Sequence, residues 1–278
     1  MKNTVLSLIF LVGSFASAQV QTPQPSPTAK LSQTVGLTEV TLKYSRPSKK
    51  GRDIFGALVP FGEIWRTGAN QNTIISFSDA VTIADQEIAA GEYAIYTRPG
   101  KATWEVFFYS ETTNWGNPGE WDAAKVAATL EVSAVDTDNI ESFEIWISKL
   151  HNNGATLNIG WSTTMVSVPF GVPTVAKATA SIQEAMKNDP KDRDYYNAAV
   201  YYLQEGQDLN QAKEWIAKAV ATNSEAYWYL RQQSLILAGL KDIDGAIAAA
   251  KSSLELATKA GNTDYITLNE ASIAEWSK

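Results

Sequence analysis

The sequence predicts an antiparallel β-sandwich or open barrel followed by a short helical array. Apolar and polar residues alternate from about residue 30 to 170, and Gly- and Pro-bearing turns punctuate the alternation. From residue 174 onward, small residues recur every 34 positions in a helical, alanine-rich pattern. Composition agrees with a folded chain: 45% of the 278 residues are hydrophobic, and 17 Gly with 10 Pro is ordinary usage. The absence of cysteine excludes a disulfide framework, a thiol nucleophile and a thiolate metal site. His151 is the single histidine, so no mechanism can draw two imidazoles from one chain. A net charge of −7 without a long basic run argues against nucleic acid as the main partner.

The N-terminus reads as an export signal. Lys2 precedes the apolar run Val5-Leu6-Ser7-Leu8-Ile9-Phe10-Leu11-Val12, and small residues lead to Ala16-Ser17-Ala18. A charged start, a short apolar stretch and an A-x-A ending predict cleavage after Ala18. The run falls short of the ~20 apolar residues that span a bilayer, and no later stretch reaches that length. The expected location is therefore periplasmic or extracellular, without a membrane span. Residues 19–29 hold three prolines and no charge, which suits an extended tether.

The domain expected over residues 30–170 is built from alternating runs. Val40, Leu42 and Tyr44 alternate with polar neighbours. So do Trp104, Val106 and Phe108, then Phe143, Ile145 and Ile147, then Leu157, Ile159 and Trp161. Each run puts one face on a core and leaves the other wetter. Turn signals separate them at Ala90-Gly91, Arg98-Pro99-Gly100, Gly116-Asn117-Pro118-Gly119 and Asn152-Asn153-Gly154. No βαβ-type helix intervenes, so the strands pair antiparallel. Three segments break the alternation and are expected as loops: residues 47–72, 113–121 and 136–139.

The helical region, residues 174–278, keeps its register closely. Ala178, Ala212 and Ala246 are 34 apart, as are Ile182, Ile216 and Ala250, and Ala185, Ala219 and Ser253. Pro190 follows the first helix. Segments 208–219 and 242–247 resemble second helices of tetratricopeptide repeats, with 174–188 a leading half-repeat and 263–277 a closing helix. A tetratricopeptide-like helical array implies a surface for a protein partner. Tyr195, Tyr196, Tyr201, Tyr202, Tyr227, Trp228 and Tyr229 fall on the first helices, where aromatics mostly pack the core and interfaces.

The β-domain resembles an exported bacterial family of unknown activity, domain-of-unknown-function family 2911. The resemblance rests on Tyr44-Ser45-Arg46-Pro47, Lys50-Gly51-Arg52, Ile54-Phe55-Gly56, Leu58-Val59-Pro60, Gly62 and Trp65-Arg66-Thr67-Gly68-Ala69-Asn70. It continues through Gly91-Glu92-Tyr93 and Pro99-Gly100 to Trp115-Gly116. The resemblance implies export, often from Bacteroidetes-type bacteria, and a β-rich fold. It brings no activity with it.

The residues themselves point to one candidate site. Between Lys43 and Arg66 stand six basic residues against Asp53 and Glu63, in a chain that is acidic as a whole. Arg46 and Arg66 offer planar donor forks for carboxylate, sulfate or phosphate, with Lys50 and Arg52 beside them. Asn70 adds a neutral donor and acceptor, and Trp65 and Trp115 offer flat faces for a sugar ring or a cation. The competing expectation is that Arg46 and Arg66 pair with acidic residues and tie the long loop to the sheet.

Other chemistry is sparse. His151 stands at a hairpin turn and reads as an exposed structural residue. Asp136-x-Asp138 resembles the start of a calcium loop but lacks its glycine and closing glutamate, and Asp242-x-Asp244-Gly245 reads as a helix cap. No cofactor or metal site is expected. Two functions follow. The first is a non-catalytic binding or scaffolding protein that holds an acidic glycan or small anion at the basic loop, or a protein through the repeats. The alternative is a hydrolase or lyase whose anionic substrate is held by Arg46 and Arg66, with Glu63 or Glu92 as base.

Overall fold

The computed structural model describes residues 22–278, so the expected signal segment 1–18 and residues 19–21 lie outside the described residues. The chain divides after Pro173 into two compact units.

Two antiparallel sheets form the first unit. One contains β1 (Thr28–Val35), β2 (Thr38–Ser45), β3 (Thr73–Phe77), β6 (Gly91–Pro99), β7 (Thr103–Tyr109) and β8 (Val126–Ser133), in the order β1-β2-β3-β6-β7-β8. The other contains β4 (Val81–Ile83), β5 (Gln86–Ile88), β9 (Val135–His151) and β10 (Gly154–Gly171), in the order β5-β4-β10-β9. One core joins them: Leu42, Ile75, Trp104 and Phe108 from the first sheet meet Phe143, Ile145, Ile159 and Trp161 from the second. The architecture is an open sandwich, and the inward residues are those the alternation selects. Strand β1 already starts at Thr28, so the end of the expected tether belongs to the sheet.

Two expectations are corrected. Residues 136–139 are not a loop but part of the long strand β9, whose pairing with β10 shifts register between Gly160 and Ser162 and again before Thr164. Such bulges disturb alternation without ending a strand. The outward face of β7 is not wet either. Phe107 and Tyr109 are buried with Tyr96 in a second small core. Trp121 closes it, stacking on Tyr109 at 4.8 Å and packing edge-on to Phe107 at 5.0 Å. The segment from Ser110 to Asp122 thus folds over the sheet.

The second unit has six helices: α1 (Thr174–Lys187), α2 (Asp192–Gln204), α3 (Leu209–Thr222), α4 (Tyr227–Gly239), α5 (Ile243–Ala260) and α6 (Thr263–Trp276). Each touches its chain neighbour, and α2, α4 and α6 also touch in succession, as a helical repeat array requires. The 34-residue register falls on α1, α3 and α5, where Ala178, Ala212 and Ala246 are all buried. Small residues at these points let adjacent helices approach closely. The Asp208 carboxylate accepts from the N–H groups of Asn210 and Gln211, and Asp242 accepts from Gly245, so both act as helix caps. Tyr196 stacks on Tyr229 at 4.5 Å and Tyr227 meets Tyr265 at 4.9 Å, tying α2 to α4 and α4 to α6.

Candidate functional site

The 27-position excursion between β2 and β3 is held at two places. On leaving β2, the chain runs beside β9. The N–H of Phe143 donates to the Pro47 carbonyl at 2.9 Å, and the Lys49 N–H donates to the Glu141 carbonyl at 2.7 Å. Ser48 and Ser142 hydroxyls meet at 3.0 Å. Farther on, Trp65 and Thr97 exchange backbone hydrogen bonds of 2.8 and 2.9 Å, so the loop pairs with β6 beyond the end of β3. Thus a segment without regular structure is pinned to both sheets.

Just past the second anchor, before β3, lies a tight turn. Thr67, Gly68 and Asn70 all have positive φ, and Gly68 at +143° lies where side chains are strained. A Cβ on Gly68 would stand 3.1 Å from the Ser45 carbonyl oxygen and 3.2 Å from Thr73 Oγ1. The Trp65 indole N–H donates to the Gly68 carbonyl at 3.1 Å. Its ring is 8% exposed and packs among Phe55, Trp104, Phe143 and Trp161. Trp65 is therefore a core residue that reaches the cavity floor, not a free platform for a sugar.

A cavity of about 610 Å³ opens here. Lys50, Arg52 and Arg66 bring three cations to its wall, Trp65 and Trp161 reach it from the core, and none of its lining residues is acidic. Arg66 is half-buried. Its Nε is buried without a hydrogen-bond partner among the described residues, and no ion pair engages it there. Burial is the main influence on its pKa and pushes it below the usual guanidinium value, with Tyr96 acting weakly the other way. Arginine remains charged at neutral pH even so.

The other predicted residues separate. Arg46 lines neither this cavity nor the groove beside it: its Nε donates to the Phe143 carbonyl at 2.9 Å, and its guanidinium lies 3.5 Å from Glu144. It is the structural tie that Arg66 is not. Arg52 folds back, donating from Nε to the Lys49 carbonyl at 2.9 Å and from Nη2 to the Ser48 carbonyl at 2.6 Å. The Lys50 N–H donates to a Glu141 carboxylate oxygen at 2.8 Å, leaving its ammonium on the cavity wall. Asn70 donates to the Ser26 carbonyl and to Ser45 Oγ, both at 3.3 Å, and so fixes the N-terminal segment. Asn70 and Trp115 both border a second, larger groove on the outer face of the six-stranded sheet, together with Glu92. Glu63 borders neither space.

Several lining residues escaped the sequence reading. Ser26 and Pro25 fell within the expected tether, and Trp161 was legible only as core. His151 is exposed at the β9–β10 turn, where its Nδ1 accepts from the Asn153 N–H at 3.3 Å. Among the described residues no cluster of three or more His, Cys, Asp or Glu could hold a metal ion, and no helix is long and apolar enough to cross a membrane.

The fold and cavity define a two-sheet antiparallel sandwich with a cationic recess, followed by a helical array. The family described as "Protein of unknown function (DUF2911)" matches residues 26–170, more than half of the chain. The chain belongs to that family. No curated protein matches it.

Proposed function

We propose that this is an exported, non-catalytic binding protein whose β-domain holds an anionic group, of an acidic glycan or a small anion, against Arg66. The observation that carries this reading is a half-buried guanidinium with an unpartnered Nε in a cavity lined by two further cations and no acid. A desolvated cation without a counter-ion is costly, and a carboxylate, sulfate or phosphate entering the cavity would relieve that cost. The planar fork of arginine suits such groups in two-point contact. The separation of Arg46 from this cavity speaks for holding by Arg66 with Lys50 and against a shared two-arginine grip. The signal-like N-terminus supports an envelope location.

The helical unit supports a second role in the same protein, contact with a protein segment. Trp228 on α4 and Leu268 on α6 are 37% and 48% exposed on helices of the same class in the repeat.

The test of the anion site is a thermal-shift and calorimetric titration of the purified protein with sulfate, phosphate, glucuronate and a uronate trisaccharide. Wild type is expected to gain stability with one or more of these, and Arg66→Ala to gain none. Preference for the trisaccharide over glucuronate would identify a glycan as the source of the anion. Equal response of wild type and Arg66→Ala would sink the reading.

A further inference from the structure

The second groove, of about 1180 Å³, is chemically unlike the first. It runs across the outer face of the six-stranded sheet, and the pairing register fixes what it presents. Lys30, Lys43 and Ile74 lie side by side across β1, β2 and β3, and Ser32, Thr41, Ser76 and Glu92 form the next row out to β6. Lys30 directly opposite Lys43 is an unfavourable like-charge pair with no ion-pair partner among the described residues. Gln71 and Thr113 add exposed amide and hydroxyl groups at the rim.

Above the groove stands Trp115, 75% exposed. Its ring packs on no other aromatic among the described residues, yet its loop is tethered on both sides. The Asn72 N–H donates to the Asn114 carbonyl at 3.4 Å, Tyr96 Oη to the Gly116 carbonyl at 3.3 Å, and Asn117 Nδ2 to the Ile64 carbonyl at 2.6 Å. An indole this exposed gains little from the fold, while the loop that presents it is tethered.

We infer that this groove is a binding site for an unbranched oligosaccharide, with one sugar ring stacked on Trp115 and hydroxyl groups bonded along the Lys43 and Thr41 rows. The backbone groups of β2 and β3, which floor the groove, are engaged on both sides by neighbouring strands and offer an extended peptide no ladder to join. The open margin of the sheet is β1, at the groove's side, and binding of an octapeptide would report strand addition there. The face offers ammonium donors in one row and hydroxyl and carboxylate groups in the next, groups that can bond the hydroxyls of a polyhydroxylated chain. This site is separate from the Arg66 cavity and does not depend on it, although Pro25 borders both.

The test is calorimetric titration of the full chain with cellotetraose, chitotetraose, maltotetraose and xylotetraose, and with a Ser/Asn-rich octapeptide as the competing ligand. At least one tetrasaccharide is expected to bind wild type. Trp115→Ala should weaken it by about tenfold, the size of one lost aromatic contact, and Arg66→Ala should leave it unchanged. Trp115 is on the surface and Arg66 makes no ion pair among the described residues, so both variants should keep the wild-type circular dichroism spectrum. Failure of all four sugars to bind, binding unaffected by Trp115→Ala, joint loss in Arg66→Ala, or binding of the octapeptide alone would each overturn the assignment.

Discussion

Tyr44 and Ile145 exchange two hydrogen bonds from opposite sheets. The Tyr44 hydroxyl donates to the Ile145 carbonyl at 3.0 Å and accepts from the Ile145 N–H at 3.1 Å. One side chain of β2 thereby satisfies both backbone groups of a residue in β9, just before the chain leaves β2 to run beside β9.

Tyr44→Phe leaves that N–H and carbonyl buried and unpaired while keeping the ring. Stability should fall by roughly 1–3 kcal/mol, read as a lower urea midpoint with an unchanged denaturant slope.

The same hydroxyl belongs to a set of tyrosines with a shared pH response. Burial is the first cause that raises the pKa of Tyr44, Tyr93, Tyr196, Tyr201, Tyr229 and Tyr265 above the usual 10.0. The unfolded chain then loses phenolic protons before the folded one does, so stability is intact below pH 10.0 and falls as pH rises above it. Phenolate absorbance should lag behind free tyrosine and rise together with loss of circular dichroism. Tyr44→Phe should make the alkaline fall shallower.

Arg46 and Arg66 should respond in opposite ways to removal of charge. Arg46→Met abandons the Phe143 carbonyl and the Glu144 contact and should cost about 1 kcal/mol. Arg66→Met removes a half-buried cation that no acid balances, and should leave the melting temperature unchanged or raise it. Thermal unfolding of the two variants, without ligand, checks the contrast.

Gly68→Ala should be the most damaging single methyl in the loop. The backbone there has a φ of +143°, and the new carbon would press on the Ser45 carbonyl at 3.1 Å. A loss of roughly 1–3 kcal/mol is expected, accompanied by weaker anion binding because the turn that presents Arg66 must shift.

Much of the fold was legible because it rests on local period. The alternation of Val40, Leu42 and Tyr44 and the spacing of Ala178, Ala212 and Ala246 each follow from one face meeting a core. Residues 136–139 were misread because bulges erase alternation while the strand continues. Phe107 and Tyr109 lost their expected wet face to a covering segment whose anchor, Trp121, shows no period at all. At the candidate site the difficulty was of another kind. Arg46 and Arg66 look alike in sequence, and what separates them is a partner 97 positions away for the Nε of one and none among the described residues for the Nε of the other. The expected grouping of Asn70 and Trp115 with the arginines failed because the turn carries Asn70 past Arg66 to the other face of the sheet.

The run of residues 47–49 along β9 has a consequence for the life of the protein in a crowded medium. β9 is the last strand of its sheet, and such a margin invites a strand from another molecule. Here Pro47, Ser48 and Lys49 occupy that margin opposite Glu141, Ser142 and Phe143, and beyond them β9 continues with Asp136 and Asp138. The stretch that walls the Arg66 cavity is thus also the guard against intermolecular strand pairing. Loosening it to admit a larger ligand would uncover the strand, so the cavity can be reshaped only as far as solubility permits.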